Sequence, residues 1–205
     1  MTGVQTCALP ICRRFLSPGL GYGGGCLPKD IRGFRATAAD LGVSSLESLL
    51  ATVDAINLGR RERVVTLARQ AAGGSLAGRR VAVLGVAFKP DSDDVRDSPS
   101  LAVCDRLTAE GAVVSVHDPV AMPSAARKRP GLRYAPSVFE AAERADLILH
   151  LTEWSDYRAI DPAALARVVA RQVIIDARCC LDAGHWREAG WTVHVLGRPQ
   201  ASGFP

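Results

Sequence analysis

An alternation of apolar runs and helical patterns constrains the fold of this chain most strongly, and it begins after Gly73 and Gly74. The run RRVAVLGVAF (79–88) is almost continuously apolar, as in a strand that is buried on both faces of a parallel sheet. Helical patterns and apolar runs then follow in the order SLAVCDRLTAEG, AVVSVHDP, SVFEAAERA, DLILHL, DPAALARVVA, QVIIDA, DAGHWREAG and WTVHVL. Strands that alternate with helices predict an α/β fold with a doubly wound, mostly parallel, Rossmann-like sheet.

A helical segment is predicted before the sheet. Apolar residues recur at helical spacing between residues 29 and 41, and Gly42 is a suitable end for that helix. A second helix is predicted to begin at Ser44, because Glu47 three residues later completes a capping box. Its apolar stripe consists of Leu46, Leu49, Leu50, Val53, Ile56 and Val64. At 1.5 Å per residue this helix would be roughly 40 Å long, so we expect it to bridge domains or to pair with another subunit.

These patterns divide the chain into four segments. Residues 1–12 (MTGVQTCALPIC) have neither helical nor strand periodicity and lack the basic and apolar regions of a signal peptide, so we interpret them as a non-native leader. Residues 13–77 carry a cysteine loop and the helical segment, residues 78–199 form the sheet domain, and residues 200–205 are a tail. We therefore expect the chain to be the back part of a longer protein.

Composition excludes several classes of function. The net charge of +4, from 25 basic and 21 acidic residues, is too small and too scattered to predict nucleic-acid binding. No apolar stretch approaches the roughly 20 residues that cross a membrane. Six cysteines in 205 residues do not form a disulfide scaffold, and the adjacent Cys179 and Cys180 are poorly placed to bond to each other. We therefore expect a reduced, cytoplasmic protein, and we predict no metal site.

Cationic residues follow the strands of the predicted sheet. Open α/β sheets bind ligands at the carboxyl ends of their strands, where this chain has Lys89 and Arg178, together with Phe88, Asp118 and residues 152–154. Arg96 lies in the loop after the first strand, so Lys89, Arg96 and Arg178 are candidates to converge on an anion. The alternative is that these cations are solvated or pair with the acidic residues of the loop KPDSDDVRDSPS.

The first loop of the sheet lacks a dinucleotide fingerprint. It reads GVAFKPDSDD, whereas a pyrophosphate held against a helix N-terminus normally needs the glycines of G-x-G-x-x-G. The sequence therefore predicts a nucleotide-binding sheet that does not hold NAD in the usual way.

The stretch GYGGGCLPKD (21–30) combines four glycines with one thiol, which indicates that its backbone passes very close to another group. Pro28 suits the first turn of a helix, so Cys26 should lie at a helix N-terminus, where free N–H groups favour a thiolate. Lys29 adds a positive charge, and Asp30 lies on the same face of that turn as Cys26. A thiolate beside a carboxylate suits attack on a carbonyl and hydrolysis of the adduct. The simpler alternative is a glycine turn that precedes a half-buried cysteine without a chemical role.

A second chemical interpretation is disfavoured. Cys26 and Arg32 have the C-x5-R spacing of cysteine phosphatases, in which backbone N–H groups of the loop cradle a phosphate. Here Pro28 removes one N–H group, Asp30 places a carboxylate inside the cradle, and the glycines precede the cysteine.

Two long motifs then carry a specific resemblance. SPGLGYGGGCLPKD (17–30) and GVAFKPDSDDVRDSPS (85–100) resemble the UDP-glucose/GDP-mannose dehydrogenase family, and LTEW (151–154) and IIDAR (174–178) fit its C-terminal domain. The resemblance implies that a cysteine thiol attacks a sugar aldehyde, that NAD oxidises the thiohemiacetal to a thioester, and that water releases a uronic acid. It implies two NAD molecules for each sugar.

The resemblance also assigns roles to residues. It implies that Cys26 is the nucleophile, that Asp30 is the carboxylate that supports hydrolysis, and that Lys29 and Arg96 contact NAD. The implied substrate contacts are Phe15, Leu16, Ser17, Pro18, Gly19, Tyr22, Gly23, Phe88, Lys89 and Arg178. The glycines would let the backbone close over the sugar, and the long helix would form a homodimer.

This sequence also departs from the family pattern. Complete members begin with an NAD-binding domain that carries G-x-G-x-x-G directly after a buried strand, and no predicted strand of this sequence is followed by that motif. Cys179 also stands where the family often has a polar residue. We therefore predict the C-terminal part of an NAD-dependent dehydrogenase that oxidises UDP-glucose to UDP-glucuronate. The alternative is a non-catalytic module for nucleotide-sugar binding or dimerisation.

Overall fold

The computed structural model describes residues 17–198, so the predictions for residues 1–12, for Phe15 and Leu16, and for the tail at 200–205 lie outside the described residues. Two helices come first, α1 (Leu27–Asp40) and α2 (Ser44–Ala71). The elements that follow are β1 (Arg80–Leu84), α3 (Pro99–Ala109), β2 (Val113–His117), α4 (Met122–Lys128), β3 (Arg133–Tyr134), α5 (Val138–Ala142), β4 (Leu147–His150), α6 (Ser155–Arg158), α7 (Pro162–Ala166), β5 (Val173–Asp176), α8 (Ala183–Glu188) and β6 (Thr192–Val195).

The strands of residues 17–198 form one sheet in the order β3-β2-β1-β4-β5-β6, and every pairing in it is parallel. The predicted doubly wound, Rossmann-like sheet is therefore confirmed. The order places β1 next to β4. Strands β2 and β3 therefore lie on one side of β1, and β4, β5 and β6 lie on the other. Ligands of such sheets bind in the crevice outside the carboxyl ends of β1 and β4. The short elements α4, β3 and α6 were not predicted from the sequence.

The central strands are buried on both faces, as their continuous apolar runs predict. All residues of β4 and β5, and those of β1 after Arg80, are buried. Helices cover both faces because a parallel sheet needs a crossover between successive strands, and each crossover packs an apolar side onto the sheet.

A side chain caps the N-terminus of α3, whereas none caps that of α2. Ser98 precedes Pro99 at the start of α3, and its Oγ accepts a hydrogen bond from the Leu101 N–H at 3.2 Å. The capping box predicted at Ser44 is wrong, because Val43 is the N-cap residue of α2 and Ser44 is already helical. The tight turn after α1 explains the difference, since the carbonyl of Val43 accepts the first helical bond from the N–H of Glu47 at 3.1 Å.

Helix α2 is 28 residues long, and its two halves have different surroundings. The C-terminal half buries Val64, Val65 and Ala68 in the core of the sheet. The N-terminal half packs against α1 and leaves Ile56 63% exposed. The predicted apolar stripe of α2 is therefore buried only in part, and the helix connects the cysteine loop to the sheet. Among the helices of residues 17–198, α2 included, none combines the length and apolar character needed to cross a membrane.

Candidate active site

The first turn of α1 carries the predicted thiol and carboxylate. Cys26 is the N-cap residue of α1 and is exposed, and Pro28 lies in the first turn as predicted. The backbone N–H of Asp30 donates to the carbonyl of Cys26 at 2.8 Å, which places the carboxylate one turn after the thiol. Lys29 Nζ lies 3.0 Å from Asp30 Oδ1, and this hydrogen bond raises the pKa of the Lys29 ammonium group.

The glycines before Cys26 lie against the segment that follows β1. A Cβ atom on Gly24, which has φ +88°, would lie 2.8 Å from the Phe88 ring, and one on Gly25 would lie 2.6 Å from the Arg96 guanidinium. A Cβ atom on Gly23 would collide with the carbonyl of Asp97. The N–H of Gly24 donates to the carbonyl of Arg96 at 2.9 Å. The glycines predict that their backbone passes close to another group, and in this structure that group is the protein's own segment after β1.

The earlier part of the loop contacts two other elements. Side chains on Gly19 and Gly21 would collide with Arg178, after β5, and with Asn57 of α2. Asn57 Oδ1 accepts from the N–H of Tyr22 at 2.7 Å, and its Nδ2 donates to the carbonyl of Tyr22 at 3.2 Å. The loop is thus held by α2 and by two strand ends of the sheet.

An ionic cluster around Asp97 ties these elements together. Arg32 of α1 donates to Asp97 Oδ2 at 2.8 Å, and Arg61 of α2 donates to Asp97 Oδ1 at 3.2 Å. The Arg61 side chain is buried and also donates to the carbonyl of Tyr22 at 3.4 Å. A buried charge that loses its partner is strongly destabilising, so Arg61 and Asp97 hold the loop firmly on the sheet domain. Arg32 is engaged in this cluster, which agrees with the rejection of a phosphatase cradle.

Two of the three predicted cations contact the loop at different points, and the third lies near the Phe88 ring, so the described structure does not bring them to a single point. Arg178 lies against Gly19 and is paired with Glu153, while Arg96 lies against Gly25. Lys89 is exposed, and its Nζ lies 5.5 Å from the centroid of the Phe88 ring that packs on Gly24. Glu153 lies in the loop after β4, and the sequence does not predict its pairing with Arg178.

Arg96 pairs with an acidic residue of its own loop, which is the alternative that the sequence left open for the three cations. Its Nη2 donates to Asp94 Oδ2 at 2.7 Å and its Nε donates to Asp94 Oδ1 at 3.0 Å. Asp94 raises the pKa of the Arg96 guanidinium group, and Cys26 adds a smaller increase. Cys26 also adds a smaller increase to the pKa of Lys29 after that from Asp30. Arg96 and Lys29 therefore both lie within electrostatic reach of the thiol.

A buried cluster behind Arg178 was not predicted. Potential ligand atoms of His150, Asp176 and Cys180 lie within 4.8 Å of one another. Asp176 Oδ1 accepts from His150 Nδ1 at 2.9 Å and from the N–H of Arg178, and its Oδ2 accepts from the N–H groups of Cys180 and Leu181. Burial opposes ionisation of Asp176, but His150 and these N–H groups hold the pKa of its carboxyl group below the usual value. These bonds occupy both oxygens of Asp176. We therefore assign to this carboxylate the role of holding the turn that carries Arg178.

The exposure of Cys26 predicts its reactivity. At pH 8 limiting iodoacetamide should modify Cys26 faster than Cys104, which is fully buried and whose pKa burial raises to about 12. Burial also raises the pKa of Cys180 to about 11, so that thiol should react slowly as well. Peptide mass spectrometry at several times of reaction measures the three rates. Modification of Cys104 as fast as that of Cys26 would contradict the described arrangement.

Two family profiles match this chain. The profile described as "UDP-glucose/GDP-mannose dehydrogenase family, UDP binding domain" matches residues 82–183, and that of the central domain of the same family matches residues 3–58. The second match begins within residues 1–12, whose interpretation as a non-native leader stays a prediction.

Two curated relatives are named UDP-glucose 6-dehydrogenase. The UDP-glucose 6-dehydrogenase of Rhizobium meliloti (strain 1021) is 37% identical over 186 residues, which cover 91% of this chain and 42% of the relative. The UDP-glucose 6-dehydrogenase TuaD of Bacillus subtilis (strain 168) is 33% identical over 196 residues, which cover 94% of this chain and 41% of the relative. The chain thus spans less than half the length of these relatives.

Solved structures share the fold. A UDP-glucose dehydrogenase from Pyrobaculum islandicum superposes with a TM-score of 0.68 at 31% identity, covering 84% of this chain and 39% of that one. An NDP-N-acetyl-D-galactosaminuronic acid dehydrogenase from Methanosarcina mazei Go1 superposes with a TM-score of 0.74 at 29% identity, covering 89% of this chain and 40% of that one. From the two profiles, the relatives and the shared fold it follows that this chain belongs to the UDP-glucose/GDP-mannose dehydrogenase family.

Proposed function

We propose that this chain is the thiol-bearing and UDP-sugar-binding part of an NAD-dependent dehydrogenase that oxidises UDP-glucose to UDP-glucuronate. One observation carries the proposal. The loop that ends at Cys26 lies on Phe88 and Arg96, which follow β1, and on Arg178, which follows β5. An exposed thiol and the ligand-binding edge of the sheet therefore belong to one site. The names of the relatives from Rhizobium meliloti and Bacillus subtilis support UDP-glucose as the substrate.

Cys26 is proposed as the nucleophile. Its sulfur attacks the aldehyde carbon at C6 of the sugar, an S–C bond forms, and the carbonyl electron pair moves to oxygen and takes up a proton. NAD, which Lys29 and Arg96 would contact, would supply the oxidant for both oxidations, that of the alcohol to the aldehyde and that of the thiohemiacetal to the thioester. Water then adds to the thioester carbon, and the S–C bond breaks to release the carboxylate and the Cys26 thiol.

Asp30 is proposed to support the hydrolytic step. Its carboxylate lies one helical turn after the thiol, and Lys29 holds it at 3.0 Å. At that position it can accept a proton from the water that attacks the thioester. Lys29 and Arg96 are exposed cations within electrostatic reach of the thiol, and they fit contacts to a cofactor bound beside it.

The diphosphate is proposed to lie along Lys89 and Arg178. Both residues follow strands at the carboxyl edge of the sheet, and an arginine can bind a phosphate through two parallel hydrogen bonds. Glu153 orients the Arg178 guanidinium in the described structure. The proposed strip around the nucleotide sugar comprises Phe15, Leu16, Ser17, Pro18, Gly19, Tyr22, Gly23 and Phe88.

A non-catalytic module for nucleotide-sugar binding or dimerisation is the second candidate, because the UDP-binding profile matches residues 82–183, which do not include Cys26. A nucleotide-sugar-binding module would bind the UDP-sugar as the dehydrogenase does, whereas only the dehydrogenase requires the sugar to reach Cys26. A cytoplasmic location also stays a prediction. It rests on the free thiols at Cys26, Cys104, Cys179 and Cys180.

A homodimer through α1 and the N-terminal half of α2 is also proposed. These helices and the turn between them expose large apolar side chains, which a second copy of the chain would cover. The exposed residues are Leu27, Phe34, Leu41, Val43, Leu49, Ile56 and Leu58.

Binding of UDP tests the proposed function. Titration calorimetry should detect UDP binding to the unchanged chain, and Lys89→Ala or Arg178→Lys should weaken it about tenfold to a hundredfold. That range corresponds to the loss of one charge-assisted contact, roughly 1.5–3 kcal/mol. Arg178→Lys keeps a positive charge beside Glu153 while it removes the planar fork. Arg106→Lys is the matched control, because Arg106 also pairs with a glutamate, Glu62, at an exposed site. Equal affinities for all four proteins would show that the proposed site is wrong.

Sedimentation velocity tests the homodimer. The unchanged chain should sediment as a dimer at micromolar concentration, and Ile56→Asp should shift it to a monomer because a buried unpaired carboxylate is costly. Val113→Asp serves as the control, since Val113 is also exposed but begins β2, outside α1 and α2. A monomeric unchanged chain, or an Ile56→Asp variant that stays dimeric, would refute this interface.

A further inference from the structure

A buried carboxylate lies at the end of β2. Asp118 is fully buried, and both of its oxygens accept hydrogen bonds. Oδ2 accepts from the backbone N–H groups of Val86 at 2.7 Å and Ala87 at 3.0 Å, and from the indole of Trp154 at 3.3 Å. Oδ1 accepts from the N–H groups of Val120 at 3.0 Å and Ala121 at 2.7 Å. These bonds compensate the burial of the charge and fix the loop after β1 to the end of β2.

The position of Asp118 matters because of the strand order. Sheets with the order 3-2-1-4-5-6 commonly bind dinucleotides, with the pyrophosphate on N–H groups of the first loop and of the following helix. An acidic residue further along the chain binds the ribose hydroxyl in such sheets. In this chain Asp118 stands at the end of β2, but it points inward and occupies the N–H groups of Val86 and Ala87.

The N-terminus of α3 is occupied by the chain as well. Ser98 caps it through the N–H of Leu101, and Gly23 lies so close to Pro99 that a Cβ atom there would be 2.6 Å from the proline Cδ. The N–H groups of Val86, Ala87 and Leu101 are therefore already bonded within the protein, so fewer backbone donors are left for a phosphate at this edge than in a dinucleotide-binding sheet.

Two further bonds fix the same two residues of the loop. Thr152 Oγ1 donates to the carbonyl of Ala87 at 2.8 Å, and Ser98 Oγ donates to the carbonyl of Val86 at 2.7 Å. The peptide groups at Val86 and Ala87 are thus held through N–H and C=O alike. Phe88 and Lys89 follow directly, so the point from which the Lys89 side chain extends is set by these bonds.

We propose that Asp118 is a positioning residue that adapts this sheet to a nucleoside diphosphate held by side-chain cations, in place of a dinucleotide held by backbone N–H groups. It accepts the hydrogen bonds of the N–H groups of Val86 and Ala87, so these groups are not free for a phosphate. It also places Lys89 at the sheet edge. The inference rests on the proposed function, namely that a UDP-sugar binds at this edge.

A double-mutant cycle separates positioning from general stability. Asp118→Asn keeps the shape of the side chain but turns an NH2 group toward backbone N–H donors. It should weaken UDP binding about tenfold in the otherwise unchanged chain, but less than about twofold in a Lys89→Ala background. An equal loss in both backgrounds, or no loss in either, would overturn the inference.

Asp146→Asn is the matched control. Asp146 Oδ2 also accepts a backbone N–H, that of Arg80 at 2.9 Å, but at the opposite edge of the sheet, where β1 and β4 begin. Its UDP affinity should stay within about twofold of the unchanged chain. Loss of affinity in this variant equal to that of Asp118→Asn would also overturn the inference.

Amide hydrogen exchange tests the placement without any ligand. The N–H groups of Val86 and Ala87 should exchange slowly in the unchanged chain and at least about tenfold faster in Asp118→Asn. Unchanged exchange would contradict the role of Asp118. Failure of the unchanged chain to bind UDP would instead refute the proposed function, and the exchange result would still decide the placement.

A second variant covers the case in which Asp118→Asn does not fold. Thr152→Val is nearly isosteric and removes the bond to the carbonyl of Ala87. It should weaken UDP binding severalfold in the unchanged background and leave the Lys89→Ala background unaffected. Unchanged affinity in both backgrounds would again overturn the inference.

Discussion

The contact between the glycine loop and the segment after β1 is the constraint on which the proposed site depends. The N–H of Gly24 bonds to the carbonyl of Arg96, and side chains on Gly23 or Gly25 would collide with Asp97 or Arg96. Cys26 directly follows Gly25. The position of its thiol therefore depends on how closely the glycine loop approaches the segment after β1. Larger residues at these positions would separate the thiol from the sheet.

The segment between β1 and α3 is held from two sides. Toward the sheet, Asp118, Thr152 and Ser98 bind the peptide groups of residues 86 and 87. Toward the helices, Asp97 binds Arg32 and Arg61. A single segment therefore carries the proposed phosphate contact at Lys89 and supports the loop of the thiol. This arrangement explains how residues far apart in sequence could act on the two ends of one nucleotide sugar.

Sequence patterns predict the parts of this structure that depend on local physics. Continuous apolar runs identify the buried strands, and Pro28 and Ser98 mark helix N-termini because proline and serine satisfy the local backbone. The error at Ser44 has a local cause too, because the turn after α1 lets Val43 take the N-cap position. The clamp of Arg61 on Asp97 and the pairing of Arg178 with Glu153 join residues 36 and 25 positions apart, which spacing along the chain does not reveal. Burial of Asp118 could be suspected only from its place at the end of a strand.

Protection of Cys26 by ligand tests most directly whether the thiol and the sheet edge form one site. The rate of Cys26 alkylation by iodoacetamide should fall at least about fivefold when UDP-glucose is saturating, because the sugar would cover the exposed thiol. Glucose alone should leave the rate unchanged, since it lacks the diphosphate that Lys89 and Arg178 are proposed to bind. If calorimetry shows that UDP-glucose binds while the alkylation rate of Cys26 stays constant, the thiol does not face the bound sugar and the account is wrong.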